Sequence, residues 1–303
     1  MALRRLLAPL DGSHLAEAVL PAIEALASRC RSSVILMHIR EEHAPVSIHG
    51  ERYLRDPDEA VRYLEAVANR LREKGLDVAY HVHETLEGDV ARSIVQHADE
   101  FAPDLVVLCS HGSGGMRDWL YGSIAQQVVR LGTWPVLLLE PEADGSAPHF
   151  EPKRILVPID DSELHQSPHR LAVEMAQAFS AQVMLLLVVP TLETLAGEAV
   201  AYRRMLPATM AAILQLAEDS AAERLRNVQS ECTGEGVDVV AQVTRGETVA
   251  EIVENAHSYG AELIVLSTHG RAGVLAILEG SVAARVARRA GVPLLLVPTR
   301  RSP

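Results

Sequence analysis

The chain is short of cysteine, of aromatic rings and of positive charge, and each shortage closes off a class of function. Its three cysteines, Cys30, Cys109 and Cys232, stand far apart with no paired spacing. Such spacing supplies neither a disulfide framework nor a thiolate zinc motif, so buried free thiols are expected. Aromatic residues make up only 4% of a chain that is 48% hydrophobic. Its core must therefore come from Leu, Val, Ile and Ala, which suits helices packed on a parallel sheet. Lys and Arg number 28 against 40 Asp and Glu, a formal net charge of −12. That deficit argues against non-specific nucleic-acid binding, which needs cations on phosphates, and against an anionic membrane surface. No apolar run approaches the roughly 18 residues of a membrane span, and Asp11 interrupts the basic and apolar start before a signal-peptide core forms. The expectation is a cytoplasmic protein that meets small ligands and other proteins, with no nucleic acid and no membrane among its partners.

What the chain does have is duplication. At 303 residues it has room for two domains, and its halves repeat. "RRLLAPLDGSHLAEAVLPAIEALA" aligns with "KRILVPIDDSELHQSPHRLAVEMA": a short apolar strand, Pro, an apolar residue, Asp, then Ser and a helix. The continuous apolar runs "SSVILMHI" and "AQVMLLLVV" read as strands covered on both faces. Long helical stretches ending at glycine follow, then the third strands "LDVAYHVH" and "VDVVAQVT". Further helices, the fourth strands "PDLVVL" and "AELIVL" and the fifth strands "WPVLLLE" and "VPLLLVP" complete each half. Strands alternating with helices require right-handed crossovers. The predicted fold is α/β, two tandem doubly wound domains, each a five-stranded parallel sheet with helices on both faces. Domain 1 spans 1–142 and domain 2 spans 153–303. The linker, 143–152, lies in "EPEADGSAPHFEPK", whose Pro, Gly and acidic residues predict an exposed connection.

In a doubly wound sheet ligands collect at the carboxyl ends of the strands, where the strand order switches direction. Asp11 and Asp160 follow the first strands, and two similar segments follow the fourth: "CSHGSGGMRDWLYGS" (109–123) and "STHGRAGVLAILEGS" (267–281). Each has His-Gly, nine residues, then Gly-Ser. Glycines let backbone N–H groups approach an anion, and a Ser at a helix start either caps the helix or touches a phosphate. Asp11 and Asp160 either cap a helix start or touch the same ligand. Arg271 is either a phosphate contact or an exposed surface cation.

The ordered set of strand-Pro-x-Asp-x-Ser, a fourth strand running into His-Gly, nine residues and Gly-Ser resembles the universal stress protein family in its tandem two-domain form. The resemblance covers nearly the whole chain. It implies strand order 3-2-1-4-5, pairing through the fifth strands to give an intramolecular pseudo-dimer and, in one branch of the family, bound ATP with Mg2+. Similarity to that branch assigns Asp11 and Asp160 to the ribose side, and Ile39 and Val188 to backbone contacts with adenine. It assigns Gly112, Gly122 and Ser123, with Gly270, Gly280 and Ser281, to the phosphates. Arg271 makes the second half the better ATP candidate. Cys109 and Ser267 stand where the family's Gly-x-x-Gly has its first glycine, and other members bind no nucleotide and act through dimerisation. An ATP-binding stress or signalling module therefore stands beside a nucleotide-free scaffold acting through protein contacts, and either could form a homodimer of the two-domain chain.

No catalytic residue is expected. Cys109 and His111 have no third group to orient them as a nucleophile pair, and no general base is evident, so any ATPase or autophosphorylation would be weak. The glycines also follow the fourth strand, unlike the phosphate loop of ATP pyrophosphatases. Seven of the 13 histidines lie between positions 14 and 97. His38 falls on the second strand, His81 and His83 on the neighbouring third, and His43 and His49 in the loop between. A zinc site from His38, His43, His49 and His83, completed by Glu42, Glu51 or Glu84, is one expectation. Scattered strand-end histidines are the other, and the second half carries Leu187 opposite His38.

Overall fold

The computed structural model describes residues 3–41, 47–48, 51–52, 54, 56–109, 124–142, 144–159, 168–191, 193–194, 207–270 and 281–300. In the first repeat the strands are β1 (Arg5–Pro9), β2 (Ser33–Glu41), the two-residue pair β3 (Ser47–Ile48) and β4 (Glu51–Arg52), β5 (Val78–Glu87), β6 (Leu105–Cys109) and β7 (Val136–Leu139). Its helices are α1 (His14–Glu17), α2 (Leu20–Cys30), α3 (Pro57–Arg72), α4 (Val90–Phe101) and α5 (Ile124–Leu131). The second repeat has β8 (Arg154–Pro158), α6 (His169–Phe179), β9 (Gln182–Val189), α7 (Pro207–Gly234), β10 (Asp238–Arg245), α8 (Thr248–Tyr259), β11 (Leu263–Gly270), α9 (Val282–Ala290) and β12 (Leu294–Arg300).

The expected order 3-2-1-4-5 is present twice, and the two sheets are one. Ten strands run β10-β9-β8-β11-β12-β7-β6-β1-β2-β5. All the pairings are parallel except the central one, where β12 meets β7 antiparallel with Leu294 opposite Leu138, Leu295 opposite Leu137 and Leu296 opposite Val136. The pairing has a simple cause. Both fifth strands open on leucine- and valine-rich runs, and at a sheet edge each would present unpaired backbone groups to water.

Alternation along these strands feeds two cores, and each core runs through both repeats. One face gathers Leu6, Leu105, Leu137, Leu139, Leu295, Leu263 and Ile155. The opposite face gathers Leu7, Val106, Leu138, Leu294, Leu296, Ile264 and Leu156. Leu137, Leu138, Leu294 and Leu295 are each 0% exposed, so the seam between the repeats is as dry as the middle of either.

Helix ends follow local chemistry. Asp56 precedes Pro57, and its Oδ1 accepts from the N–H groups of Asp58 (2.8 Å) and Glu59 (3.0 Å), capping α3. Asp89 accepts from Arg92 N–H at 3.0 Å and Glu247 from Ala250 N–H at 2.9 Å, capping α4 and α8.

Two expectations change. The linker does not run wholly through solvent: Pro148 and Phe150 are buried, and the Phe150 ring meets Phe179 edge-on at 5.7 Å. Arg29 of the first repeat lies 5.2 Å from the Phe179 ring centroid and pairs with Glu151. One aromatic side chain is enough to draw an otherwise polar connection down against the second repeat. The second change is at β11, which continues through Ser267, Thr268, His269 and Gly270, paired with Val297–Arg300 of β12. The residues read as loop are ladder, because β12 is long enough to keep pairing with them.

Candidate functional site

The switch in strand order falls at β1 in the first repeat, between β2 and β6, and at β8 in the second, between β9 and β11. Both strands leave the sheet alike. Leu10 N–H donates to Met37 carbonyl at 2.7 Å, and Ile159 N–H to Leu186 carbonyl at 2.8 Å, so each first strand keeps its ladder one residue past Pro9 or Pro158.

In the first repeat Asp11 comes next. Its Oδ1 accepts from the N–H of Ser13 at 2.9 Å and from its hydroxyl at 2.7 Å. Ser13, fully buried, in turn accepts from Ala16 N–H at 3.1 Å and caps α1. Asp11 is thus an anchor of the turn. Gly12 sits at φ +91°, a conformation that disfavours any side chain, and a Cβ there would come within 2.5 Å of Leu54 Cδ1. Leu54 closes over this turn from the segment after β4, and its carbonyl receives His38 Nε2 at 3.3 Å, while His38 Nδ1 is 2.8 Å from Leu10 carbonyl.

Cys109, the last residue of β6, is 8% exposed. Burial, reinforced by the negative charges of Asp11 and Glu140, pushes its thiol up to about 12. The Asp11 charge thus reaches the end of β6, and a thiol kept protonated is no nucleophile at neutral pH. Cys232 is likewise pushed up to about 11 by burial and then by Glu235 and Glu231. Cys30, half-buried, is raised by burial and then by Glu174. Ile39, also buried, lies at the end of β2.

In the second repeat Val188 lies half-buried on β9, and Gly270 ends β11. Ser281 holds the extended conformation of an N-cap, φ −67° and ψ 148°, and its hydroxyl accepts from Ala284 N–H at 3.2 Å at the start of α9. The first N–H groups of a helix have no intrahelical carbonyl to reach, and the dipole adds positive potential at that end. Arg285, on the first turn, is drawn to Glu247 at 2.7 Å. Gly112, Gly122, Ser123, Asp160, Arg271 and Gly280 lie outside the described residues, as do His43 and His49.

Of the expected histidine set, His38 and His83 lie on opposite faces of the sheet. Parallel pairing sets Met37 beside His81, His38 beside Val82 and Ile39 beside His83. Side chains alternate along a strand, so His38 occupies the face opposite His81 and His83 and turns to backbone carbonyls. His83 is joined instead by His81 and by His97 of α4, with one ring nitrogen from each of the three lying within 4.8 Å of the others. His97 stands alone on its helix, with no motif to mark it. Its ring reaches His81 and His83 only once the helix has packed on the sheet.

Among the described residues no helix is long and apolar enough to cross a membrane. A universal stress protein from Archaeoglobus fulgidus superposes with a TM-score of 0.67 at 15% identity, covering 97% of this chain and 96% of that one. A protein of unknown function from Pseudomonas aeruginosa does so with a TM-score of 0.68 at 18% identity, over 98% and 93%. These likenesses fix the fold. In sequence, a universal stress protein of Methanocaldococcus jannaschii is 33% identical over 147 residues, 48% of this chain and 81% of its own length. The model of the universal stress protein family matches twice, over residues 2–140 and 151–298. Two matches that together span nearly all of both repeats make the chain a tandem member of the universal stress protein family.

Proposed function

We propose that the chain is an ATP-binding module of the stress response, working in the cytoplasm, with its nucleotide in the second repeat. The observation that carries this reading is Ser281: a serine N-cap opening a nine-residue helix, after a strand that ends in Gly270 beside the switch point. A polyphosphate fits such a place, where helix N–H groups and a hydroxyl meet its charge. Gly270 and Ser281, with Asp160, Arg271 and Gly280, would hold ATP there. Val188 would supply backbone to adenine, and Mg2+ would neutralise the phosphates. Bound ATP would supply a ligand that favours one arrangement of the crevice over another.

The first repeat favours the other reading, a copy that works through protein contacts without nucleotide. Its Asp11 carboxylate holds Ser13, Leu54 closes over Gly12, and Cys109 is buried where the family has glycine. The expected stoichiometry is accordingly one ATP per chain.

Isothermal titration of the whole chain with Mg-ATP tests this. We expect a single site, weakened at least tenfold, about 1.4 kcal/mol, by Gly280→Val. Unaltered binding in that variant would remove the second-repeat site, and absence of binding by the native chain would leave the contact-based reading.

A further inference from the structure

Three imidazoles meet at the outer edge of the first repeat. β5 is the last strand of the sheet on that side. Residues two apart on it, His81 and His83, share a face, and α4 lays His97 against them. His97 Nε2 is 2.8 Å from His83 Nδ1. The His97 ring centroid is 4.7 Å from that of His81 and 4.9 Å from that of His83, and all three residues are half-buried. The other nitrogen of His97 faces Glu100 Oε2 at 3.2 Å, while its ring stacks on Phe101 at 5.6 Å, 12° from parallel. One side of the ring is thus held in place and the other points into the cluster.

The second repeat indicates what folding alone requires here. Matching the strand registers and the helices equates His81, His83 and His97 with Gln242, Thr244 and Asn255. There Gln242 Nε2 donates to Asn255 Oδ1 at 2.7 Å, and Thr244 Oγ1 donates to Glu251 Oε2 at 2.6 Å. Amides and a hydroxyl make the joint between third strand and helix. In the first repeat all three positions carry imidazole, and buried Ser93 takes the place of Glu251. The joint is hydrogen-bonded here too, between His83 and His97, but its three convergent nitrogens suit a cation: protonating such rings sets like charges together, while a metal takes a lone pair from each.

We propose that His81, His83 and His97 bind a first-row divalent cation of the zinc type, with a fourth position left for water or an outside ligand. Imidazole suits zinc and its neighbours in the series. Tetrahedral bonds of about 2.0–2.1 Å place ligand nitrogens about 3.3 Å apart. The His83–His97 pair then opens by about half an ångström as the cation takes the place of its shared proton, and the wider pairs draw in. Glu100 acts as the carboxylate that fixes His97's orientation from behind. Neither His38 nor the nucleotide crevice takes part.

The test is a titration of the tag-free chain, stripped with chelator and without nucleotide, using Co2+ followed by its visible spectrum and then displacement by Zn2+. One Co2+ per chain with four-coordinate bands, displaced by Zn2+, is expected. The variant H81Q/H83T/H97N installs the residues that the second repeat carries at this joint, and should retain the native circular dichroism while losing about 100-fold or more in Zn2+ affinity. H83T alone carries the same criterion should the triple variant unfold. Glu100→Gln should weaken binding about tenfold, and His38→Leu should leave it unchanged. A native chain that takes up no metal, a triple variant with native affinity, or loss of binding in His38→Leu overturns the assignment.

Discussion

Single residues decide how the crevice of the first repeat is held. At Gly12 two costs coincide, a left-handed backbone and the nearness of Leu54. Gly12→Ala should destabilise the chain by about 1–2 kcal/mol from the backbone alone, with a steric addition. Urea unfolding of Gly12→Ala, Leu54→Ala and the double variant separates the two: the steric part vanishes in the double variant and the backbone part stays. At Cys109 burial governs reactivity. Iodoacetamide at pH 8 should label the native thiol far more slowly than the urea-unfolded one, and rapid native labelling would contradict the packing found at the end of β6. Asp89 has a different dependence. The Arg92 N–H holds its carboxyl below the ordinary value. A depressed folded value means that the carboxylate's contribution is present above the unfolded pKa, about 3.9, and is lost as pH falls through the lower folded value. Asp89→Asn keeps the cap but not the charge, so it should unfold much as the native chain does at pH 7 and lose less stability below pH 4. Identical acid profiles would exclude Asp89 as a contributor.

At the scale of elements, the two repeats act as controls for each other. Both α4 and α8 end on a left-handed residue, Ala102 at φ 46° in the first and Gly260 at φ 66° in the second. Ala102→Gly should therefore stabilise α4 by about 0.5–1 kcal/mol, the strain relieved being offset in part by a freer unfolded chain. Urea midpoints check the sign. Much at this scale was legible in the sequence, because apolar runs of strand length bounded by Pro, Gly and acidic turns leave few alternatives, and a repeated layout restricts them further. The register of β2 against β5 was not legible. A one-residue slip exchanges faces, and only the backbone pairing of Ile39 with His83 settles that His38 looks away from His81 and His83. The length of β11 was hidden for a related reason: whether Ser267 to Gly270 pair depends on how far β12 runs beside them, not on their own propensities. Phe150 was lost in a segment whose average composition is that of a solvated linker.

For the whole molecule, the feature that matters is a sheet crossing from one repeat into the other with a dry core on each side. Unfolding should be cooperative across the boundary. Hydrogen exchange read by mass spectrometry in a denaturant series should lose β1 and β8 protection together, and two well-separated steps would mean that the seam is weaker than its burial implies. Leu295→Ala at the seam should cost about 2–5 kcal/mol and lower the protection of both repeats, not only its own. A pair of halves joined in this way also differs from two identical chains meeting at the same surface. In a symmetric pair every substitution is felt in both copies at once, so a change that suits one crevice is imposed on the other. A covalent tandem, with its partner always supplied in equal number and its central β7–β12 pairing made within the chain, releases that constraint. Each copy can lean on the other for its edge while drifting in its own direction, and three imidazoles facing a helix in one half, against a glutamine, a threonine and an asparagine in the other, are what such freedom leaves behind.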